Sequence, residues 1–384
     1  MRARVAIGCS FFIQGFVFAT WCARIPELQQ ALALSEATLG TLLFMLPLGQ
    51  FLSMLPNGLA IKRFGSRPMA LLAGFLYPAV LVGIGVARSL PLLGALLFAA
   101  GIVANLSNTA INTQAVRLER RYRRSIMTLF HGMWSLAGLA AVALNLALTA
   151  LGVTLRGHFL LTWATCWGLL LFSGGALISP GRPNAPKAEG PQSRGGWTWE
   201  PALLWLGIAA FGCMVCEGAV YDWSGVYMAK AIGVAKNYSS TAYLAYMCTM
   251  VPCRFVADAV VNRLGTLKVL LGSGLCLVAG LFGVVLSGFL PVGGWPCAVA
   301  GFALVGVGTS AVVPLCCSLA GKCRGVVPSV AIAEVSTIGF FGLLIAPPII
   351  GHLADAWGLP AAFAAVTAVG ALVPATARFV FKKD

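Results

Sequence analysis

Two carboxylic acids stand inside an apolar stretch of the chain. Glu217 and Asp222 lie in the segment EGAVYDWSGVYM (217–228), which follows the apolar run 203–212. A charged carboxylate in hydrocarbon costs at least roughly a few kcal/mol, so it normally faces protein or water and has a partner. Apolar surroundings favour the protonated form, so such a group can take up and release a proton. Glu217 is the deeper of the two, and we expect it to bind a proton or a solute; the alternative is a structural hydrogen bond between helices.

Asp222 is expected at the outer end of the same helix. It lies five positions after Glu217, which corresponds to about 140° around a helix, so the two acids do not need to form a carboxylate pair. Asp222 is a second candidate for proton coupling, at the outer mouth. The alternative is a group at the rim that caps the helix or pairs with Arg24 or Lys230.

An amide stripe is the second polar feature. Asn105, Asn108 and Asn112 occupy positions i, i+3 and i+7 of an apolar run, which places them on one face of a helix. Amides offer donors and acceptors without charge, and this chemistry suits a hydroxyl-rich solute better than a bulky cation. The alternative is that these amides bind neighbouring helices.

Four further ionisable groups lie deeper in apolar runs than their chemistry favours. Arg254 and Asp258 are four residues apart, and this spacing predicts a salt bridge along one helix face near a cytoplasmic gate. His131 and Glu334 lie two to three turns inside the cytoplasmic edge of their runs. Each is a candidate for a gate or a proton relay, or else a hydrogen-bonded packing residue.

The composition explains where these groups must be held. The chain has 384 residues, is 59% hydrophobic and 10% charged, and has a mean hydropathy of +0.90, which excludes an ordinary soluble protein. About 20 apolar residues cross a bilayer as a helix. Twelve runs are long enough, near 5–24, 37–61, 69–87, 90–115, 126–152, 157–179, 200–229, 238–261, 267–288, 293–320, 327–351 and 359–380.

The charge distribution gives an orientation. Most of the 26 Lys and Arg residues fall on one side of this arrangement, which predicts that both termini are cytoplasmic. The opposite side has Arg24, Arg88, Arg156, Lys230 and Lys236. The basic run RLERRYRR (117–124) is therefore interpreted as a topology determinant beside anionic lipid, and we expect no nucleic-acid partner.

Catalytic and metal chemistry is poorly supported. Nearly all of the 12 cysteines fall within apolar runs, where they act as small apolar residues. Cys213 and Cys216 have metal-ligand spacing, but they lack further ligands nearby. With three histidines and no phosphate-binding loop, no catalytic triad assembles. We therefore expect no enzyme activity, no metal and no cofactor.

The chain divides into two related halves. The polar segment 179–199 is rich in Pro, Gly and charge and is predicted to be a cytoplasmic linker between six-helix bundles at 1–178 and 200–384. Shifting the second half by 200 residues aligns Arg63 with Arg263 and Gly101 with Gly301. Repeated six-helix bundles are one plan of secondary transporters.

The loop NGLAIKRFGSRP (57–68) resembles the loop motif of the major facilitator superfamily. Gly58, Arg63 and Gly65 match that motif, and Lys62 stands where the motif has Asp. The segments 19–43, HGMWSLAG (131–138) and EGAVYDWSGVY resemble the bacterial branch typified by the inner-membrane protein YbjJ, distantly related to fucose permease. The resemblance implies an all-α membrane protein with twelve transmembrane helices.

The resemblance also implies which residues line a central cavity. The first, fourth, seventh and tenth helices line it in the superfamily, which here brings in Gln14, Thr20, Trp21, Asn105, Asn108, Asn112, Glu217, Tyr221 and Trp223. The aromatic residues among them suit stacking on sugars, although an interfacial belt is the favoured alternative. Arg63, Arg263, Arg254 and Asp258 would belong to the gates.

These observations predict a secondary transporter of the bacterial inner membrane. We expect a monomer that moves a small polar, sugar-like solute with a proton by alternating access. Proton-antiport efflux of amphipathic compounds is the alternative within transport. A non-transporting sensor or scaffold is the alternative outside it.

Overall fold

The computed structural model describes residues 2–122, 126–179, 200–290, 292–323 and 325–380. Within these ranges the regular structure is helical. The α-helices are α1 (Arg2–Ala31), α2 (Glu36–Leu52), α3 (Met54–Phe64), α4 (Ser66–Val86), α5 (Leu90–Tyr122), α6 (Met127–Ala150), α7 (Leu155–Ser173), α8 (Pro201–Lys230), α9 (Thr241–Leu264), α10 (Thr266–Ser287), α11 (Gly294–Ala320), α12 (Pro328–Trp357), α13 (Leu359–Gly370) and α14 (Leu372–Val380).

The predicted number of membrane spans is confirmed. The described residues contain 11 helical segments that are long and apolar enough to cross a bilayer, and the number is twelve when α2 and α3, which meet at a bend of 46°, are counted as one span. The last span, Leu359–Ala377, combines α13 with most of α14. The protein is therefore a multi-pass membrane protein.

The bend between α2 and α3 has a local cause. Helix α2 begins at Glu36 and is capped by the preceding residue, Ser35, whose side chain accepts a hydrogen bond from the backbone N–H of Thr38 at 3.2 Å. It ends at Leu52, four residues before Pro56. Because proline has no N–H to donate to the carbonyl of Leu52, the helical hydrogen bonds are interrupted there. The run predicted as one helix at 37–61 is two helices.

The described residues form two compact units. The N-terminal unit contains α1–α7 together with Lys236–Ser240, and the C-terminal unit contains α8–α14. We call Lys236–Ser240 the strap, because it connects α8 to α9 and yet packs with the N-terminal unit. Of the predicted linker 179–199, all but the first residue lies outside the described residues.

Two contacts fix the end of the strap. The Ser240 hydroxyl donates to the carbonyl oxygen of Ala23 at 3.1 Å, and the Asn145 amide donates to the Ser240 hydroxyl at 2.9 Å. All three residues are buried. The strap therefore packs with the N-terminal unit although it follows α8, and the predicted bundle boundaries at 1–178 and 200–384 stay predictions.

Equivalent glycines turn the chain in both halves. Gly65 connects α3 to α4 with φ 92°, and Gly265 connects α9 to α10 with φ 83°. These left-handed conformations are readily adopted only by glycine, because it has no Cβ. The Arg63–Gly65 and Arg263–Gly265 parts of the internal repeat are thus structurally equivalent corners.

The repeat is shifted in the fourth and tenth spans. A Cβ at Gly101 of α5 would overlap the carbonyl oxygen of Leu46, and a Cβ at Gly306 of α11 would overlap that of Tyr246. Leu46 and Tyr246 differ by 200 in number, whereas Gly101 and Gly306 differ by 205. Gly301 instead faces α10, where its Cβ would lie 2.7 Å from the carbonyl oxygen of Gly280. The expected pairing of Gly101 with Gly301 is therefore wrong.

Helix α12 approaches α8 closely in the C-terminal unit. A Cβ at Gly342 would lie 2.7 Å from the carbonyl oxygen of Phe211, and a Cβ at Gly339 would lie 2.9 Å from the sulfur of Met214. These two glycines remove the side-chain bulk that would otherwise separate the helices. The close contact helps to bury the middle of α8, where Glu217 lies.

Candidate functional site

Glu217 is a buried carboxyl group in the middle of α8. The residue is 8% exposed. Its Oε1 atom is buried and has no hydrogen-bond partner within the described residues. A buried oxygen without a hydrogen bond carries a desolvation cost, so the surrounding structure does not saturate this group. Its position in the helix agrees with the sequence analysis.

Arg254 of α9 provides the charge next to Glu217. Its Nη2 atom lies 3.8 Å from Glu217 Oε1, which is close enough for an ion pair but too long for a hydrogen bond. The predicted pair with Asp258 is not formed; that residue is exposed on α9. The deeper carboxylate has more need of a cation because water does not screen it. Arg254 therefore belongs to the Glu217 site.

Three tyrosines pack beside this pair. The ring centroid of Tyr221 lies 5.8 Å from that of Tyr243 and 5.9 Å from that of Tyr246, and both contacts are edge-on. The hydroxyl groups of Tyr246 and Thr309 are 3.1 Å apart, and the Tyr246 hydroxyl also hydrogen-bonds Tyr221. All three rings are buried. They form a rigid polar layer that holds α9 against α8 and α11.

The two cysteines with metal-ligand spacing face backbone carbonyls. The Cys213 thiol lies 3.9 Å from the carbonyl oxygen of Thr309, and the Cys216 thiol lies 3.8 Å from that of Val366. In the part of the chain that the structure describes, no group of three His, Cys, Asp or Glu side chains is arranged to hold a metal ion. Both thiols serve as small packing groups on α8.

The aromatic residues at the ends of α1 and α8 are buried. Trp21 is 4% exposed and Trp223 is fully buried, with its indole N–H lacking a hydrogen-bond partner among the described residues. An interfacial belt would expose these rings to lipid headgroups, so their burial argues against that alternative. Asp222 is half-buried. Its roles in proton coupling or at the rim stay predictions.

Gln14 and Asn105 come together where α1 meets α5. The Gln14 amide donates to the carbonyl oxygen of Ala104 at 3.5 Å, and its own oxygen is buried without a partner in the described chain. Asn105 accepts a hydrogen bond from the Asn57 amide at 3.0 Å, and Asn57 also donates to the carbonyl oxygen of Ile102 at 3.0 Å. Sequence reasoning missed Asn57. Asn105 therefore helps to bind α3 to α5.

Asn108 and Asn112 satisfy one another. The Asn112 amide donates to the side-chain oxygen of Asn108 at 2.9 Å and to its backbone oxygen at 2.7 Å. Asn108 is exposed and Asn112 is half-buried. Asn105 is half-buried like Asn112, so Asn108 is the most exposed of the three amides. A role of this part of the stripe in solute binding stays a prediction.

An ionic cluster in the N-terminal unit was not predicted. Arg24 is 1% exposed. Its guanidinium donates to His158 Nδ1 at 3.0 Å, to the carboxylate of Glu27 and to the carbonyl oxygen of Val153 at 3.2 Å. The other oxygen of Glu27 lies 2.8 Å from Lys236 Nζ. The cluster thus connects α1, α7 and the strap. Arg24 has these partners, and not Asp222, which was one alternative partner in the sequence analysis.

A cavity adjoins this cluster. Its volume is about 400 Å³, and Glu27 lies between it and the buried Arg24. The lining residues are Glu27, Leu28, Ala31, Leu32, Gly85, Ala87, Arg88, Thr154, Leu155 and Arg156. Arg156 donates to the carbonyl oxygen of Gly85 at 3.3 Å, which ties α7 to α4 at the cavity wall.

The remaining predicted residues form no hydrogen bond or ion pair with Glu217 within the described part of the chain. His131 is exposed on α6, with its ring 5.4 Å from that of Phe11, and Glu334 is buried on α12. Arg63 and Arg263 are exposed at the ends of α3 and α9, and Arg63 lies over the ring of its neighbour Phe64. Neither arginine forms an ion pair with a described residue. The proposed gate and relay roles stay predictions.

Comparison with known proteins identifies the family. The sequence profile of the Major Facilitator Superfamily matches residues 7–331. The chain belongs to this superfamily. An uncharacterised MFS-type transporter of Yersinia pestis is 30% identical over 379 residues, which cover 98% of this chain and 95% of the relative. The chain is therefore an MFS transporter and not an enzyme, whereas the narrower YbjJ-like assignment stays a prediction.

Solved structures share this superfamily fold at low sequence identity. The nucleoside transporter NupG is 12% identical, with a TM-score of 0.77 over 99% of this chain and 100% of NupG. The E. coli fucose:proton symporter FucP is 17% identical, with a TM-score of 0.62 over 99% of each chain. Both likenesses describe the fold alone.

Proposed function

We propose that this MFS transporter takes up a small polar, sugar-like solute together with a proton across the bacterial inner membrane. It works as a monomer by alternating access and needs no cofactor. Glu217 carries the proton in this proposal. The name of one structural neighbour, a fucose:proton symporter, agrees with proton-coupled uptake of a sugar.

The observation that carries the proposal is the unsaturated state of Glu217. Its Oε1 atom is buried without a hydrogen bond, although a cation lies 3.8 Å away. A carboxylate held only for structure normally has its oxygens satisfied, because an unsatisfied buried polar atom is destabilising. A carboxyl group that binds and releases a proton needs an oxygen that is not already occupied by a structural hydrogen bond.

Accumulation in proteoliposomes tests the proposal. The purified protein is assayed with an inward proton gradient and labelled sugars, sugar acids, amino acids and nucleosides. We expect accumulation of a sugar-like solute that requires the gradient. The Glu217→Gln variant, nearly equal in shape, should retain exchange of solute across the membrane and lose accumulation. Full accumulation by this variant would contradict the proposal.

Efflux by proton antiport is the second candidate within transport. The aromatic cluster of Tyr221, Tyr243 and Tyr246 next to an acid is the observation that favours it, because such sites attract lipophilic cations. Arg254 lies at the same acid and repels cations. Proton-driven export of a cationic dye from the same vesicles would favour efflux over uptake. Absence of any solute counterflow would favour a sensor or scaffold.

A further inference from the structure

We propose that Arg254 binds the carboxylate of an acidic solute, and that it does so when Glu217 has taken up the proton. This inference rests on the proposed function and adds the charge class of the solute. Within the sugar-like compounds, the substrate is then a sugar acid.

The geometry of the pair supports an exchange of partners. A saturated guanidinium–carboxylate pair has N–O distances of about 2.7–2.9 Å, usually with two parallel hydrogen bonds. Arg254 Nη2 and Glu217 Oε1 are separated by 3.8 Å, and Oε1 accepts no hydrogen bond from a described residue. The guanidinium fork has the shape that binds a carboxylate at two points. An incoming carboxylate can therefore form closer bonds than Glu217 does.

The exposure of the two side chains also favours binding of a solute carboxylate by Arg254. The Arg254 side chain is 26% exposed, whereas that of Glu217 is 10% exposed. A solute reaches the cation more easily than the acid. Pro252 lies two residues before Arg254 inside α9 and cannot donate the backbone hydrogen bond of a regular helix. The helix is therefore less rigid at the position from which Arg254 projects.

The charge balance couples the two binding events. With Glu217 ionised, the pair has no net charge. Protonation of Glu217 leaves Arg254 as a cation in a partly buried place, which is costly unless another anion replaces the lost partner. A solute carboxylate supplies this anion, and a neutral sugar does not. Proton uptake and acid binding therefore favour one another.

The groups around Glu217 allow this exchange. Arg254 of α9 acts on Glu217 electrostatically, and Glu217 in turn acts on Tyr246 of α9 and on Cys213 and Cys216 of its own helix. Arg254 is the cation among them. Tyr221 and Tyr246 also act on Arg254 electrostatically. In the proposed exchange they are positioning residues for Arg254.

One transport cycle moves no net charge. Outside, a proton from water binds Glu217 Oε1 and the solute carboxylate binds Arg254; inside, both leave and the Arg254–Glu217 pair forms again. One positive and one negative charge cross together. Symport of a proton with a neutral sugar would instead carry one positive charge inward in each cycle.

The test compares acids with their neutral analogues on the full-length protein. Gluconate is paired with glucitol, glucuronate with glucose, and galactonate with galactitol. Thermal stabilisation of the purified protein measures binding, and current across a supported membrane of proteoliposomes measures charge movement. We expect at least one acid to stabilise the protein more at pH 5.5 than at 7.5, and to accumulate without current. Its neutral partner should do neither.

Variants separate the roles of the two residues. Arg254→Gln should weaken binding of the acid by about 10- to 100-fold, since it removes a charge-assisted hydrogen bond. Arg254→Lys keeps the charge and should retain part of the affinity. Glu217→Gln should bind the acid with no dependence on pH. Lys268→Gln, an exposed cation on α10, is the matched control and should behave as the unmodified protein.

Each result decides between the proposals. If a neutral sugar accumulates with current and loses accumulation in Glu217→Gln, the proposed function holds and the acid inference is wrong. If an acid binds but accumulates independently of the proton gradient, the role of Glu217 fails while Arg254 can still be tested by its variants. Absence of stabilisation by every acid, in a folded protein, overturns the inference.

Discussion

Two arginines, Arg24 and Arg254, are held in opposite ways. Arg24, in the N-terminal unit, is 1% exposed and donates to an imidazole, a carboxylate and a backbone carbonyl. Arg254, in the C-terminal unit, is more exposed, and its ion pair with Glu217 is longer than a hydrogen bond. A saturated cluster fixes helices in place. In the second pair, Glu217 Oε1 accepts no hydrogen bond from a described residue, so we expect mutations to affect stability at Arg24 and transport at Arg254.

Replacement of Arg24 is expected to have the largest effect on the stability of the protein. Arg24→Met leaves the buried His158 without its donor and the half-buried Glu27 carboxylate with only the exposed Lys236 as its cation. Breaking a buried ion pair costs up to about 3–5 kcal/mol. We expect a large fall in melting temperature and expression. Arg254→Gln should lower stability less, because its pair is loose and partly exposed. Thermal unfolding of both variants in detergent measures the difference. Equal falls in melting temperature for the two variants would contradict the proposed difference between the Arg24 cluster and the Arg254–Glu217 pair.

The His158 contact tests how completely Arg24 is satisfied. His158→Phe keeps an aromatic ring in the buried position and removes the acceptor at 3.0 Å from Arg24 Nε. A buried donor left without a partner costs about 1–3 kcal/mol. Denaturant or thermal unfolding should show a loss of this order, with transport unchanged at temperatures where the variant is folded. Loss of transport in a folded variant would give the Arg24 cluster a functional role.

A smaller effect is expected at the tyrosine layer of the Arg254 site. Tyr246→Phe removes the hydroxyl that bonds Thr309 and Tyr221, and keeps the packed ring. One buried hydrogen bond contributes about 1 kcal/mol. We expect stability to fall by about this amount for each bond that is lost. Solute affinity should fall as well, because Arg254 loses a polar group that acts on it electrostatically. Unchanged affinity would make the layer purely structural. Tyr227→Phe, which removes a bond to the carbonyl oxygen of Val284, is the matched control.

The smallest effect is expected at the edge of the Arg24 cluster. Lys236 is 54% exposed, so its ion pair with Glu27 is screened by water. Lys236→Gln should lower stability by about 0.2–1 kcal/mol, and added salt should reduce the difference from the unmodified protein. Thermal unfolding at low and high salt checks both points. A loss comparable to that of Arg24→Met would mean that the strap is part of the core.

The sequence predicts the helices better than the contacts between them. Apolar length alone gives twelve spans, and Pro56 explains the bend that the predicted run 37–61 lacked. Glu217 stands out because a carboxyl group is rare in such a run. Its partner was missed because spacing along one helix pairs Arg254 with Asp258, whereas the ion pair crosses from α9 to α8. Spacing within a helix carries no information about such a contact.

The Arg24 cluster was missed for a related reason. Arg24, Glu27 and His158 lie near the predicted ends of spans, where charged residues are ordinary, and only packing shows that Arg24 is buried. The internal repeat was similarly misaligned in one place. The equivalent contacts of Gly101 and Gly306 show that the fourth and tenth spans align with an offset of 205 residues rather than 200. The counterparts of Asn105, Asn108 and Asn112 are therefore Ser310, Val313 and Cys317. Two of these three lack a polar oxygen or nitrogen in the side chain.

The strap affects how the two halves of the chain can be expressed separately. A fragment that ends at the linker after α7 would contain Ala23, Glu27 and Asn145 but not the Ser240 and Lys236 groups that bind them. The fragment would thus expose a carboxylate, an amide and a carbonyl that are covered in the intact chain. Two separately expressed halves would recover these bonds only by reassembly, so the strap gives split versions of the transporter a specific point of attachment.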